Sequence, residues 1–143
     1  MKKFKSFLAL LLVLCAVFSL SACTGTPATP TEPESTIPAS GSTLGEGAHS
    51  FTFEVKMKDE TTYTYTIQTD EETVGAALLG LKLIDGEDGQ YGLYVKSVLG
   101  EKLDYDTDGY WWGLYVDGES SMVGVDSVAI TDGSTYTFTA EKA

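Results

Sequence analysis

Two clean alternations in succession set the tightest limit on how this chain folds. In Ser50 to Lys58, the residues Phe51, Phe53, Val55 and Met57 fall on one side and Thr52, Glu54, Lys56 and Lys58 on the other. A period of two with one apolar face describes a strand lying half-buried on a core. Thr61 to Gln68 repeats the pattern, with Tyr63, Tyr65 and Ile67 against Thr62, Thr64 and Thr66. Only Asp59-Glu60 separates the two runs, so they predict a β-hairpin, although Asp-Glu is a weaker turn pair than Asn-Gly.

Directly afterwards the pattern becomes helical. Thr69-Asp70-Glu71-Glu72 supplies capping and acidic residues where a helix N-terminus favours them, and Val74, Ala77, Leu78 and Leu81 follow at the spacing of one helix face. Gly75 and Gly80 inside this short helix each cost roughly 1 kcal/mol relative to alanine. The helix therefore depends on packing, and close approach to the sheet is the expected reason for both glycines. Asp85-Gly86-Glu87-Asp88-Gly89 is expected to break it. Further strands are predicted at Tyr91 to Leu99, Tyr110 to Val116 and Thr135 to Thr139, with shorter pieces at Met122 to Val125 and Ser127 to Thr131. Two strands, a helix, then three or more strands is an α+β order, a β-grasp-like mixed sheet with one helix packed across it.

What precedes residue 49 has a different composition. Lys2, Lys3 and Lys5 make a basic start, and Phe7 to Leu20 is an apolar run, the form of a secretion signal over residues 1–22. It is too short for a comfortable membrane span, which takes about 20 apolar residues. The run ends in Leu20-Ser21-Ala22-Cys23, which resembles a bacterial lipobox, in which the cysteine is lipidated and becomes the new N-terminus. Cys15 then leaves with the leader and Cys23 is capped, so no disulfide is available and the exported domain must be held by its core. Residues 23–48 are expected to form a lipid-anchored, disordered tether. They are rich in Thr, Pro, Ser, Gly and Glu, with Ile37 and Leu44 as the large apolar side chains, too little to offset the entropy of ordering. A flexible chain of that length reaches on the order of 25–30 Å. Residues 49–143 are read as one domain.

The formal net charge is −12, and all nine basic residues are lysines. Such a surface lacks the means to neutralise phosphates, which excludes nucleic acid as a partner and leaves the acyl chain as the membrane contact. Catalysis also finds little to use. The one histidine, His49, sits at the domain boundary, and no free thiol survives processing, so neither a Ser/His/Asp nor a Cys/His arrangement can be assembled. The protein is expected not to be an enzyme.

Several landmarks together carry a resemblance: Thr73-Val74-Gly75-Ala76-Ala77-Leu78 opening a helix after a hairpin, Tyr91-Gly92-Leu93-Tyr94-Val95-Lys96-Ser97-Val98-Leu99-Gly100, Asp108-Gly109-Tyr110-Trp111, Gly124-Val125-Asp126, and Asp132-Gly133-Ser134-Thr135-Tyr136. In this order they resemble a family of secreted Gram-positive lipoprotein domains related to the C-terminal domain of transcobalamin and intrinsic factor. The resemblance covers nearly all of residues 50–141. It implies a β-grasp fold of the soluble-ligand-binding type and, by extension, cobalamin or another small molecule as ligand.

Two stretches bear on a site. Asp104, Asp106, Asp108 and Gly109 match the first half of a calcium loop, in which alternate carboxylates point at one ion. The second half fails, because Tyr115 stands where a bidentate Glu belongs, so a solvated acidic turn is the competing reading. In Tyr110-Trp111-Trp112-Gly113-Leu114-Tyr115-Val116, alternation puts Trp112, Leu114 and Val116 in the core and Trp111, Gly113 and Tyr115 on the other face, with a gap at Gly113. Trp111, Tyr110, Tyr115, Tyr94 and Tyr105 are the expected ligand contacts, suited to stacking on a planar or ring-shaped molecule. The resulting expectation is a lipoprotein on the outer face of the cell membrane that captures a small molecule, such as a corrinoid, and passes it to a transporter. The alternative is a tethered adhesion or protein-interaction module whose aromatic patch is a protein interface.

Overall fold

A computed structural model of the chain describes residues 37–143; the leader, Cys23 and residues 23–36 of the expected tether lie outside the described residues. The elements in order are β1 (Thr43–Gly45), β2 (His49–Lys56), β3 (Thr62–Thr69), α1 (Val74–Gly80), β4 (Ile84–Gly89), β5 (Gly92–Val98), β6 (Glu101–Lys102), α2 (Tyr105–Asp108), β7 (Tyr110–Val116), β8 (Glu119–Ser120), a 3-10 turn (Val125–Ser127) and β9 (Thr135–Lys142). The fold is dominated by strands in two sheets, a six-stranded one in the order β1-β3-β2-β9-β7-β8 and a three-stranded one in the order β4-β5-β6.

The hairpin forms as its alternation predicts. Its register sets Phe51 opposite Ile67, Phe53 opposite Tyr65 and Val55 opposite Tyr63, so both apolar faces fall on one side. The connection differs from the expected Asp-Glu pair. Met57 donates to Thr61 O at 2.9 Å, leaving a three-residue loop, Lys58-Asp59-Glu60, whose last residue is left-handed at φ 67°. That geometry is the usual form of three-residue hairpin loops. β9 lies parallel to β2, with Tyr136 beside Phe53 and Phe138 beside Val55, and β7 lies antiparallel to β9, so the sheet is mixed as expected. The buried face is fastened by aromatic contacts: Phe51 meets Tyr136 edge-on at 5.1 Å between ring centroids, and Phe53 meets Phe138 at 6.2 Å.

The helix departs from its expected span. Thr73 is the N-cap, its hydroxyl accepting from Ala76 N at 3.3 Å, while Thr69 closes the end of β3 by accepting from Glu71 N at 3.1 Å. Val74, Ala77 and Leu78 are buried as the spacing predicts, and Leu81 is half-buried just beyond the last turn. The two glycines separate. A Cβ on Gly75 would sit 2.7 Å from Asp126 Cα, so the close approach is to the 3-10 turn rather than to the sheet; a Cβ on Gly80 would meet nothing. This explains why Met122 to Val125 and Ser127 to Thr131 are not strands. From the 3-10 turn onward the chain runs beside α1, joined to it by Val74 N to Val128 O at 2.9 Å and by one bridge between Thr73 and Ala129.

The second sheet is a correction to the expected helix-breaking loop at residues 85–89. Asp85–Gly89 belongs to β4, whose buried apolar anchor is Ile84, so alternation carried no signal there. A register shift between Asp85 and Gly86 bends the strand, and Gly86 lies against the Tyr94 carbonyl where a side chain has no room. The ordered part also begins before residue 49. Tyr65 donates to Pro38 O at 3.0 Å, Thr64 N to Ser40 Oγ at 3.0 Å, and β1 pairs in parallel with Thr66 to Gln68. The exposed backbone of β3 offers this short segment partners that its composition does not advertise.

Two predictions follow from this packing. Gly75→Ala forces the 3-10 turn away from α1 and should cost about 1–3 kcal/mol in urea unfolding, whereas Gly80→Ala should gain up to about 1 kcal/mol. The second prediction concerns acid. The Asp132 carboxyl is held below its ordinary 3.8, first by Ser50 N–H at 2.9 Å and then by His49 at 3.3 Å. A depressed folded-state value means that this stability is complete above pH 3.8 and is lost as pH falls through the lower value. Melting temperature measured from about pH 5 to 2 should therefore fall less steeply in Asp132→Asn than in the parent.

Candidate functional site

β7 owes its shape to the turn that follows it. Asp117 and Gly118 both have positive φ, 49° and 88°, the mirror-image turn that matches strand twist. It folds β8 back, but pairing reaches only Tyr115 with Ser120 and Val116 with Glu119, after which Ser121 N donates to Leu114 O at 2.8 Å and the chain leaves the sheet. The first half of β7 is thus an open edge. Because the Leu114 carbonyl points away from β9, the backbone groups of Trp112, two residues earlier, face that edge as well.

The departing segment is fixed onto the tip of the β4–β5 hairpin by one carboxylate and one backbone bond. Asp126 Oδ1 accepts from Leu93 N at 2.8 Å, and Gly124 N donates to Tyr91 O at 3.1 Å. Gly92, at φ 105°, and Gly124 both lie against that carboxylate, and a Cβ on Gly124 would be 2.6 Å from Oδ1. With Gly75 against its Cα on the far side, Asp126 joins α1, the 3-10 turn and the hairpin.

Between this pinned hairpin and the open edge of β7 lies a cavity of about 470 Å³. Its walls include Leu93, Tyr94 and Val95 of β5, Trp111, Trp112 and Leu114 of β7, and Phe138 of β9, with Tyr91, Met122 and Val123 around them. Met122 is 91% exposed and Tyr91 78%, so the mouth carries apolar side chains into solvent. Among the described residues, no Asp, Glu, Lys or His lines it, in a chain whose formal charge is −12. The chemistry available is apolar and aromatic contact rather than ion pairing.

Of the expected ligand contacts, Trp111 and Tyr94 are brought together at this cavity and three residues are not. Tyr110 packs on the core beneath Lys58, whose Nζ lies 5.6 Å from the ring centroid. Tyr115 donates to Glu141 Oε1, and that bond is the first cause raising the phenol above its ordinary 10.0. The same Glu141 carboxylate occupies the space over Gly113, where a Cβ would lie 2.8 Å from Oε1, so the expected gap in that face is filled. Tyr105 is 56% exposed on α2 and is not among the cavity walls. Trp112, expected in the core, is 5% exposed and also forms a wall of the cavity, and its indole Nε1 has no hydrogen-bond partner among the described residues. Tyr91, Leu93, Met122, Val123 and Asp126 were outside the expected site. The one available signal was Met122-Val123, an apolar pair in a polar, glycine-rich segment.

The acidic turn is a helix cap. Asp104 Oδ1 accepts from Asp106 N and Thr107 N, both at 3.0 Å, and Asp108 Oδ2 accepts from Asp104 N at 3.1 Å. The Thr107 and Asp106 donors lower the Asp104 carboxyl. Gly109 ends the turn in the left-handed region at φ 65°. Among the described residues no group of three or more His, Cys, Asp or Glu is placed to hold a metal ion.

A family described as "Domain of unknown function (DUF4430)" matches residues 71–142, half of the chain. Among solved structures, a protein of Ruminococcus gnavus ATCC 29149 with a provisional metal-binding description is 29% identical, with a TM-score of 0.64, over 67% of this chain and 99% of that one. Haptocorrin in complex with Cbi is 17% identical with a TM-score of 0.50; the match covers 69% of this chain and 26% of haptocorrin, and shows a shared fold. No curated protein matches the chain.

If Asp126 holds the cavity together, Asp126→Ala should leave the strands paired but lower the melting temperature. A bond worth about 1 kcal/mol corresponds to a drop of about 4–8 °C in a domain of this size. Hydrogen exchange should locate the loss, with the Leu93 amide losing protection while the amides of β2 and β3 keep theirs.

Proposed function

The chain belongs to the DUF4430 family, and from that premise we propose that it is a binding domain that captures a small, ring-shaped or planar molecule in the cavity between Trp111 and Tyr94. The observation that carries this reading is the uncharged, aromatic wall set into an acidic protein. A cavity of this size suits part of a large ligand or the whole of a small one. The mixed sheet with α1 is read as a β-grasp arrangement of the transcobalamin type. A corrinoid is then the first ligand to try, since haptocorrin, which shares the fold, is known here in complex with Cbi.

The location follows from the leader. With Cys23 lipidated, the domain stands on the outer face of the membrane at the end of a tether, and passes its ligand to a transporter. The reading is of binding without catalysis. A second reading, a surface that docks a protein, is favoured by the exposure of Tyr91, Met122 and Val123 at the mouth.

Titrating cobalamin into the purified chain should quench tryptophan fluorescence saturably, and Trp111→Ala should weaken binding by about tenfold, the scale of one lost aromatic contact. Fluorescence that no corrinoid alters would move the weight to the protein-docking reading.

A further inference from the structure

The cavity's polar groups are the Trp111 and Trp112 indoles, the Tyr91, Tyr94 and Ser121 hydroxyls, the Gln90 amide and the open-edge backbone of β7. The Ser121 hydroxyl donates to Val123 O at 2.9 Å, and the Gln90 amide donates to the Tyr91 hydroxyl at 3.2 Å. Trp112 Nε1 stands apart: it is a donor on a 95% buried side chain, in a cavity wall, with no acceptor among the described residues. Leaving a buried N–H unpaired costs on the order of 1–3 kcal/mol, and buried donors in folded proteins are nearly always paired.

Resting on the reading of this cavity as a binding site, we infer that its ligand carries a neutral hydrogen-bond acceptor, a carboxamide-type carbonyl on an apolar or aromatic body, that pairs with Trp112 Nε1. The class is set by exclusion on both sides. A carboxylate or phosphate would enter a pocket with no cationic side chain in its wall and an acidic protein around it, losing hydration without an ion partner. A pure hydrocarbon would leave the Nε1 donor as it is. A neutral carbonyl gives up less hydration than an anion and satisfies the donor. The nitrogen is covered in the present arrangement, so pairing takes an outward shift of the adjoining wall, and the exposed Met122-Val123 segment is the part of the rim least held by packing.

Three probes of similar size separate the possibilities: benzamide, benzoate and toluene, each added at millimolar concentration to the whole chain with ¹⁵N-labelled indoles. Benzamide should move the Trp112 Nε1–H resonance downfield and saturably. Toluene should move the methyl resonances of Leu114 and Val123 while leaving that N–H in place, and benzoate should bind at least about tenfold more weakly than benzamide. Trp112→Phe assigns the resonance, and in it benzamide should lose about 3–10-fold in affinity while toluene loses little. Benzamide and toluene binding equally, with the Nε1–H unmoved, would overturn the acceptor inference and leave the binding-site reading standing. If none of the three perturbs the cavity resonances, the binding-site reading fails and takes this inference with it. The wild-type spectra alone decide between these results should the variant not fold.

Discussion

The Asp126 carboxylate is the constraint on which the arrangement of this domain depends. The two sheets share no strand, and α1, at seven residues, is too short to be stable by itself. Beyond the core contacts of Ile84, Val95 and Val98, the hairpin tip is held to the rest by one side-chain oxygen on the Leu93 amide, flanked by Gly92 and Gly124 and backed by Gly75, and by the Gly124 N to Tyr91 O bond. Each of these glycines is needed for proximity: a methyl group at any of them would strike the aspartate or its backbone. A single acceptor can do this because the alternative, an exposed strand tip with an unpaired amide, has no other nearby partner to settle on. The cavity is a consequence of that spacing, since it is the volume left between a pinned hairpin and a strand edge.

β7 shows how one strand divides its labour by register. Trp112, Leu114 and Val116 contribute to the core on one face, while on the other Tyr115 and the space over Gly113 are taken up by Glu141 from β9. The face that a simple alternation would leave open to a ligand is therefore closed by a hydrogen bond within the sheet. Openness appears at the strand's free edge, a direction that a two-faced reading of a strand does not contain. Trp111 and Tyr94 meet there from different sheets.

This distinction marks what was legible in the sequence. The first hairpin, the buried face of α1 and the strands β5, β7 and β9 were readable because burial on one face writes a period into the residues. β4 was not, because Asp85 to Gly89 is a mostly solvated edge with one apolar anchor, and its strand character comes from pairing with β5. β1 was hidden for the same reason. In the site, Trp111 and Tyr94 were recoverable as exposed aromatics, but Tyr110 and Tyr115 are held by Lys58 and Glu141, contacts between strands that composition cannot order in space. The acidic run Asp104 to Asp108 spells a metal loop in its first half. The missing acidic residue at Tyr115 was the informative departure, and local backbone donors take the carboxylates instead.

On the binding reading proposed above, the distribution of charge sets a selectivity before any contact is made. A domain this acidic raises the local concentration of cations and lowers that of anions around it, yet the carboxylates near the cavity are withdrawn from it. Asp126 faces the Leu93 amide and Glu141 faces Tyr115. The interior is consequently apolar while the exterior is negative. A molecule with an anionic group is opposed by the surface field and then finds no partner inside, whereas a neutral ring system is not opposed by the field and exchanges water for aromatic walls. Selection against anions and preference for flat apolar bodies thus have separate physical origins, one long-ranged and weakened by salt, the other local and independent of it. Raising the ionic strength should relax the first and leave the second, so the two contributions are separable in a single titration series.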